Sequence, residues 1–260
     1  MTQTPAAPLT ILPRPRLDDL SSLLQQRRLC VLAAGAGYGK TTLISSWMDR
    51  STSAIVTCTA AHSDLGYLAT AVTNALRGWL PGLELRTTGL ESMSGPAAAS
   101  QLVAAAAPRM QRPILLFFDD VHEVAEGEAA RFLQALVLQA PEPLRIVLAG
   151  RTEPPVRTSR LRGRGQLLEL SASDLRFTAE ETAAFVAASA PDIVSYSQDV
   201  HTATGGWPAA VRLTVEALRD GAENDRIRIL ERAGLPGGTL FSYLADEVVD
   251  AEPPVAREML

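Results

Sequence analysis

An α/β fold, built on a parallel doubly wound sheet and followed by a smaller helical module, is what this sequence predicts. Three observations predict it. Short apolar runs alternate with helix-spaced segments from Leu29 to Leu170. One run, Ile114 to Phe118, is bulky and apolar throughout, which suits a strand buried on both faces of a parallel sheet. After Ser171 the strand pattern stops and helix signals take over.

Taken in order, Leu29 to Ala33 is an apolar strand running into a Gly-rich loop. Thr41 to Met48 then has helical spacing, with Leu43, Ile44 and Trp47 on one face. Ala54 to Cys58 predicts a second strand, and Leu65 to Leu80 a helix closed by Pro81 and Gly82. Pro96 to Met110 is Ala-rich and helix-prone, with Pro96 in a helix-start position. Ile114 to Phe118 is the third strand and ends in two aspartates. Ala129 to Ala140 is a helix, Arg145 to Ala149 a fourth strand, and Leu167 to Leu170 a fifth after an arginine-rich connection. Thr178 and Glu181 form a capping box that opens a helix through Ala188. Ser197 to Thr204 and Pro208 to Arg219 predict two more helices, broken by Gly205 and Gly206. Leu240 to Val249 and Pro254 to Leu260 also have helical spacing. No internal repeat is evident. The amphipathic pattern is cut at Leu260, so the chain is expected to be a fragment of something longer.

The bulk numbers narrow the function classes. A length of 260 residues allows one large domain, or one plus a smaller neighbour, and 47% hydrophobic residues are enough for a core. A net charge of -5 argues against nucleic-acid binding by bulk attraction. Cys30 and Cys58 sit inside apolar runs and read as buried thiols, since their count and spacing suit no zinc site. No apolar run reaches the length of a membrane span, and Met1 to Pro13 reads as a loose tail without the features of a signal peptide. A cytoplasmic protein is expected. Of the 24 lysines and arginines, Lys40 alone is lysine. In so arginine-rich a background it marks a position that needs a compact ammonium.

The stretch from Ala34 to Thr41 matches the P-loop pattern G-x-x-x-x-G-K-[ST] at Gly39, Lys40 and Thr41, with Ala34 in place of the first glycine. Gly35, Gly37 and Gly39 let the backbone of Ala36, Tyr38 and their neighbours turn its N–H groups toward phosphate oxygens. The helix that begins near Lys40 adds its positive N-terminal end, with Thr42 in its first turn. Lys40 is expected to reach the β- and γ-phosphates, and the Thr41 hydroxyl to ligate Mg²⁺. Asp119, at the end of an apolar strand, fits a Walker B aspartate beside the same metal, and Asp120 is placed to polarise an attacking water. Arg151 follows the fourth strand, which in a P-loop sheet lies next to the first. It is a candidate γ-phosphate sensor, against the plain alternative of a surface arginine. Arg157, Arg160, Arg162 and Arg164 read as a solvated connection, since no aromatics are interleaved with them. His62, His122 and His201 are scattered and make no metal site.

Several of these features together resemble one family. Arg14 to Leu17 precedes the first strand; the loop runs from Gly37 to Thr42, with Trp47 on the helix behind it. Asp119 to His122, Leu161 to Leu170, Leu175 to Thr178, Gly205 to Pro208 and Phe241 to Val248 complete the set. The chain resembles the N-terminal ATPase region of the MalT-like signal-transduction ATPases, or STAND proteins, many of which are LuxR-type transcriptional regulators of bacteria. The resemblance implies a P-loop NTPase domain over 28–173 after a tail and lead-in over 1–27. It implies a helical module over 174–236 and the start of a winged-helix-like domain over 237–260. It implies an ADP-bound resting state, exchange for ATP with Mg²⁺, self-association in the ATP state, slow resetting hydrolysis, and DNA contact only through a domain beyond Leu260. It matches Pro208 to a Gly-x-Pro element at the nucleotide, and more weakly the Arg16 segment to the adenine pocket.

Such a switch can be sized. Moving a two-state equilibrium from 1:99 to 99:1 takes about 5.5 kcal/mol of differential affinity. Charge-assisted hydrogen bonds contribute about 1.5–3 kcal/mol each. Contacts made only to the γ-phosphate, by Lys40, Arg151 and a Mg²⁺ ion on Thr41 and Asp119, are enough in principle. Two rival readings remain: a P-loop kinase or other ATPase acting on a small molecule, and a nucleotide-dependent scaffold without a transcription role. A kinase consumes ATP quickly only with its acceptor, whereas a switch stays slow throughout.

Overall fold

The computed structural model describes residues 12–48, 52–84, 93–222 and 225–233. In chain order the elements are α1 (Pro15–Asp18), α2 (Ser21–Leu24), β1 (Leu29–Ala33), α3 (Lys40–Trp47), β2 (Ser53–Thr57), α4 (Leu65–Arg77) and α5 (Gly95–Ala106). There follow β3 (Ile114–Asp119), α6 (Gly127–Gln139), β4 (Leu144–Gly150), α7 (Ser159–Gly163), β5 (Leu167–Ser171), α8 (Ala172–Leu175), α9 (Ala179–Ser189), α10 (Ser197–Thr204), α11 (Pro208–Asp220) and α12 (Arg226–Ala233).

The five strands form one parallel sheet in the order β2-β3-β4-β1-β5. β1 pairs with β4 from Leu29 opposite Ile146 to Ala33 opposite Gly150, so the fourth strand does adjoin the first. Sequence and burial agree on which strands are central. β1, β3 and β4 are almost wholly buried, whereas the edge strands β2 and β5 alternate or are partly exposed. One face, with Val31, Val56, Leu116, Phe118, Ile146 and Leu148, packs in a single cluster with residues of α4, α5 and α6. The complementary residues Cys30, Leu32, Phe117, Val147 and Ala149 are buried too, and α3 packs against β3 and β4. The sheet is therefore covered on both faces, as continuous apolar strands require.

Most differences from the sequence reading are at element ends, and each has a cause. α4 stops at Arg77, before the weak helix former Gly78, and Arg77 Nε donates to the Leu83 carbonyl as the chain folds back. α5 ends at Ala106 and continues as one 3₁₀ turn, because Pro108 cannot donate into the helical ladder. Cys58 lies one residue past β2; it and Cys30 are buried free thiols. α12 and a 3₁₀ segment at Pro191–Tyr196 were not expected from the sequence. The expected helices at 240–249 and 254–260, the segment 237–260, and residues 1–11 of the tail lie outside the described residues. Among the described residues no helix is long and apolar enough to cross a membrane.

Two compact units are distinguished. Of the described residues, the sheet unit holds those within Pro15–Gly35 and Lys40–Asp174; the helical unit holds those from Leu175 onward, with Ala36–Gly39 and residues 12–14. The helical unit has its own core, in which Val186, Ile193, Val200, Val211, Val215 and Leu218 are buried. The capping box forms at the start of α9: Thr178 accepts from the Glu181 N–H, and Glu181 accepts from the Thr178 N–H. Arg14 pairs with the same Glu181 at 3.0 Å and lies over the Phe177 ring.

Candidate nucleotide-binding site

The loop between β1 and α3 has the backbone that its glycines permit. Gly37 and Gly39 have φ of +71° and +77°, where a side chain would be strained. In the sheet unit, Lys40 opens α3 and is only 8% exposed. Its Nζ donates to the carbonyls of Ala34 at 2.6 Å and Gly35 at 2.8 Å, so the ammonium draws the start of the loop toward the helix. Leu43, Ile44 and Trp47 anchor α3 on its buried side, and the Trp47 indole donates to the Leu17 carbonyl of α1. This orients the opposite side of the first turn, with Thr41 and Thr42, outward.

Asp119 is the last residue of β3 and is 2% exposed. The Thr41 hydroxyl donates to its Oδ2 at 2.6 Å, across 78 positions of sequence. Asp119 Oδ1 accepts the Asp120 N–H at 3.0 Å. Asp120 adopts a left-handed conformation, with φ of +53°. It is the sole described non-glycine with positive φ. It turns the chain into a short 3₁₀ segment, Val121–Glu123, which brings the His122 ring near the Asp120 and Glu123 carboxylates. Cys58 donates its backbone N–H to the Asp119 carbonyl. Burial pushes its thiol up to about 12, with Asp120, Asp119 and Glu123 adding to the effect. Arg151 directly follows β4 and is exposed. Arg16 donates to the Asp174 carbonyl at 2.7 Å.

In the helical unit, Ala36–Gly39 are held by the start of α11. The Trp207 indole donates to the Ala36 carbonyl at 3.2 Å, and the Ala209 N–H to the Gly37 carbonyl at 3.0 Å. A Cβ on Gly37 would lie 2.5 Å from the Ala209 Cβ, so a side chain there has no room. The Tyr38 and Trp207 rings are 5.9 Å apart, and Arg176 lies over Tyr38. Pro208 is the first residue of α11. Pro208 is the residue that the sequence pattern points to, whereas it is the indole of its neighbour Trp207 that bonds the loop.

The structure thus brings Lys40, Thr41 and Asp119 together, and places Asp120 beside them and Arg151 at the end of the strand between β1 and β3. His122, set aside as a metal candidate, is the site neighbour that sequence reasoning missed. The signal for it was its spacing from the paired aspartates. The other histidines have local partners: His62 bonds Thr59, and His201 bonds Thr182. Arg162 of the arginine run is paired with Glu169.

No protein-family model matches the chain. Among solved structures it is similar to a Walker-type ATPase of Pyrococcus abyssi, with a TM-score of 0.58 and 12% identity over 92% of this chain and 76% of that one. It is also similar to the Orc1 protein of Aeropyrum pernix, solved in complex with DNA, with a TM-score of 0.53 and 15% identity over 96% of this chain and 72% of that one. A signal transduction ATPase with numerous domains from Pyrococcus horikoshii, which carries a tetratricopeptide repeat sensor, aligns with a TM-score of 0.49 and 15% identity, over 84% of this chain and 32% of that one. The sheet order, the loop and the first two likenesses define the class: this is an α/β P-loop NTPase fold.

Proposed function

We propose that this chain binds ATP and ADP with Mg²⁺ and works as a slowly hydrolysing nucleotide switch. The observation that carries the reading is the 2.6 Å hydrogen bond from Thr41 to the buried Asp119 carboxylate, beside an ammonium held on the loop carbonyls. A hydroxyl and a carboxylate are the hard oxygen donors that Mg²⁺ takes, so the residues present fit this ion. Thr41 and Asp119 would hold it. Bound there, it supplies positive charge to the phosphate oxygens. Gly35, Ala36, Gly37, Tyr38, Gly39, Lys40, Thr41 and Thr42 would cradle the phosphates through backbone N–H groups, the ammonium and the helix N-terminus. Asp120 orients the attacking water by accepting its hydrogen bond. Arg151 senses the γ-phosphate, and Pro208 contributes at the nucleotide.

The finer reading is that of a MalT-like module in a LuxR-type transcriptional regulator of the bacterial cytoplasm. Its domains would be a P-loop NTPase over 28–173, a helical module over 174–236 and a further, winged-helix-like one from 237. Self-association would follow ATP binding, and DNA contact would come through a domain beyond Leu260. The residue pattern at Gly37 to Thr42, Asp119 to His122 and Gly206 to Pro208 supports it. ATP-dependent promoter binding by the full-length protein tests it, and equal binding with ADP and ATP counts against it.

The nucleotide site itself is tested by titrating Lys40→Ala with Mg²⁺ and ATP by calorimetry. Losing charge-assisted hydrogen bonds worth about 1.5–3 kcal/mol each should weaken binding roughly 10-fold to 100-fold or more. Unchanged affinity would bring the reading down.

A further inference from the structure

We propose that His122 is a positioning residue for Asp120: its ring Nδ1 fixes one oxygen of that carboxylate so that the other can accept a hydrogen bond from the attacking water. The proposal rests on the reading of Asp120 as the residue that orients the attacking water.

Three observations lead to it. First, the backbone of His122 is held from behind. Val121 is fully buried, and a Cβ on Gly150 would lie 3.2 Å from Val121 Cγ1 and 3.4 Å from the His122 nitrogen. The turn after β3 is therefore seated on the bare end of β4, and the imidazole is carried on a fixed base. Second, the ring lies between two carboxylates without bonding to either. Nδ1 is 3.9 Å from Asp120 Oδ1, and Nε2 is 3.8 Å from Glu123 Oε1. Both distances exceed a hydrogen bond by roughly 1 Å. Third, Nδ1 is buried with no hydrogen-bond partner among the described residues. A buried ring nitrogen left without a partner is unfavourable, so the site has a drive to supply one.

Asp120 is the partner free to move. Its side chain is 44% exposed, against 20% for His122. In the proposal, rotation about its side-chain torsions closes the 3.9 Å gap. With Nδ1 as donor, Asp120 gains an acceptor role toward the ring through one oxygen and keeps the other for water. Its strained left-handed backbone supports this, since conformations of that kind persist where the surroundings hold them and cluster at functional sites. His122 touches neither nucleotide nor water in this scheme; it acts through Asp120.

The test measures single-turnover ATP hydrolysis and ATP affinity in the whole chain. His122→Ala, and His122→Phe, which keeps the ring, should each slow hydrolysis roughly 10-fold or more while Kd for ATP stays within about twofold. His122→Asn places an amide nitrogen near the Nδ1 position and should restore the rate to within about threefold. His122→Gln, whose amide reaches toward the Nε2 position, should not. In an Asp120→Asn background, His122→Ala should cost nothing further. The proposal is overturned if His122→Asn is as slow as His122→Ala, or if His122→Ala slows the Asp120→Asn protein by the same factor as the parent. Wild-type turnover in Asp120→Asn alone removes the water-orienting reading beneath the proposal, a result that neither of the other two outcomes gives.

Discussion

The start of α3 and the turn after β3 serve the same corner of the sheet unit, and they are finished in opposite ways. At the first, three side chains are closed on partners: Lys40 on two loop carbonyls, Thr41 on Asp119, Asp119 on Thr41 and on the Asp120 N–H. At the second, Asp120 is left-handed, two carboxylates stand almost 4 Å from an imidazole, and its Nδ1 is buried without a hydrogen bond among the described residues. Under the proposed function, the difference follows from what each half would do. A site that grips phosphate and metal gains from being formed in advance, because ordering costs are met on folding. A carboxylate that handled water, as proposed for Asp120, would have to change partners, and strain with unsatisfied polar atoms is in keeping with that role.

If that contrast is right, perturbing the closed half should cost the most stability. Thr41→Val keeps the shape of the side chain but leaves Asp119 Oδ2 buried without its hydroxyl donor. Losing a hydrogen bond to a charged group costs about 1.5–3 kcal/mol. For a chain of this size that is about 3–10 °C in Tm. Thermal denaturation without nucleotide reads it, and Thr41→Ser should retain wild-type stability. Equal melting of Thr41→Val and wild type would mean that the contact contributes nothing until ligand is bound.

The open half should respond in the reverse sense. Asp120→Gly removes the steric cost of a left-handed residue, about 1–2 kcal/mol, and adds the backbone entropy of glycine, about 0.5–1 kcal/mol. The net expectation is a stability equal to wild type or higher by up to about 1.5 kcal/mol, read as an equal or raised Tm, together with loss of ATP turnover. Stability gained where activity is lost is the mark of strain held for function. A clear drop in Tm would instead show that the Asp120 side chain holds the turn in place.

How much of this was legible depends on whether the cause is local. β1 and β3 declare themselves as continuous apolar runs, and β3 ends on the acid that proves to be buried. Lys40 stood out as the sole lysine, and it is the buried ammonium of the site. The capping box at Thr178 and Glu181 was readable because its chemistry spans three residues. The left-handed Asp120 was not readable; it opens a turn whose next residues, Val121 and His122, lie against Gly150, a residue on another strand. Nor was the Trp207 bond to Ala36, which joins positions 171 apart. The 3₁₀ segment at Pro191–Tyr196 escaped because it contains a non-helical Ile193 and owes its place to burial in the helical core. Short-range rules found what the chain does with its neighbours; the tuning of the site comes from strands that meet only in the sheet.

The smallest effect expected concerns Cys58, which borders both halves through its bond to the Asp119 carbonyl. Its thiol is pushed from an ordinary value of 9.0 up to about 12, first by burial and then by Asp120, Asp119 and Glu123. From about pH 9 upward the unfolded chain gives up this proton and the folded chain keeps it. Stability is therefore complete below the unfolded value and is lost progressively as pH rises toward the folded one. Cys58→Ala should lower Tm by a roughly constant amount at neutral pH, through lost packing. Between pH 8.5 and roughly 10.5, however, its Tm should fall less steeply than that of wild type. Cys30 is raised by burial as well, so some slope persists in the variant. Parallel Tm-versus-pH curves for the two proteins would show that the Cys58 thiol ionises as freely in the folded chain as in the unfolded one, and that the acids at the end of β3 do not reach it.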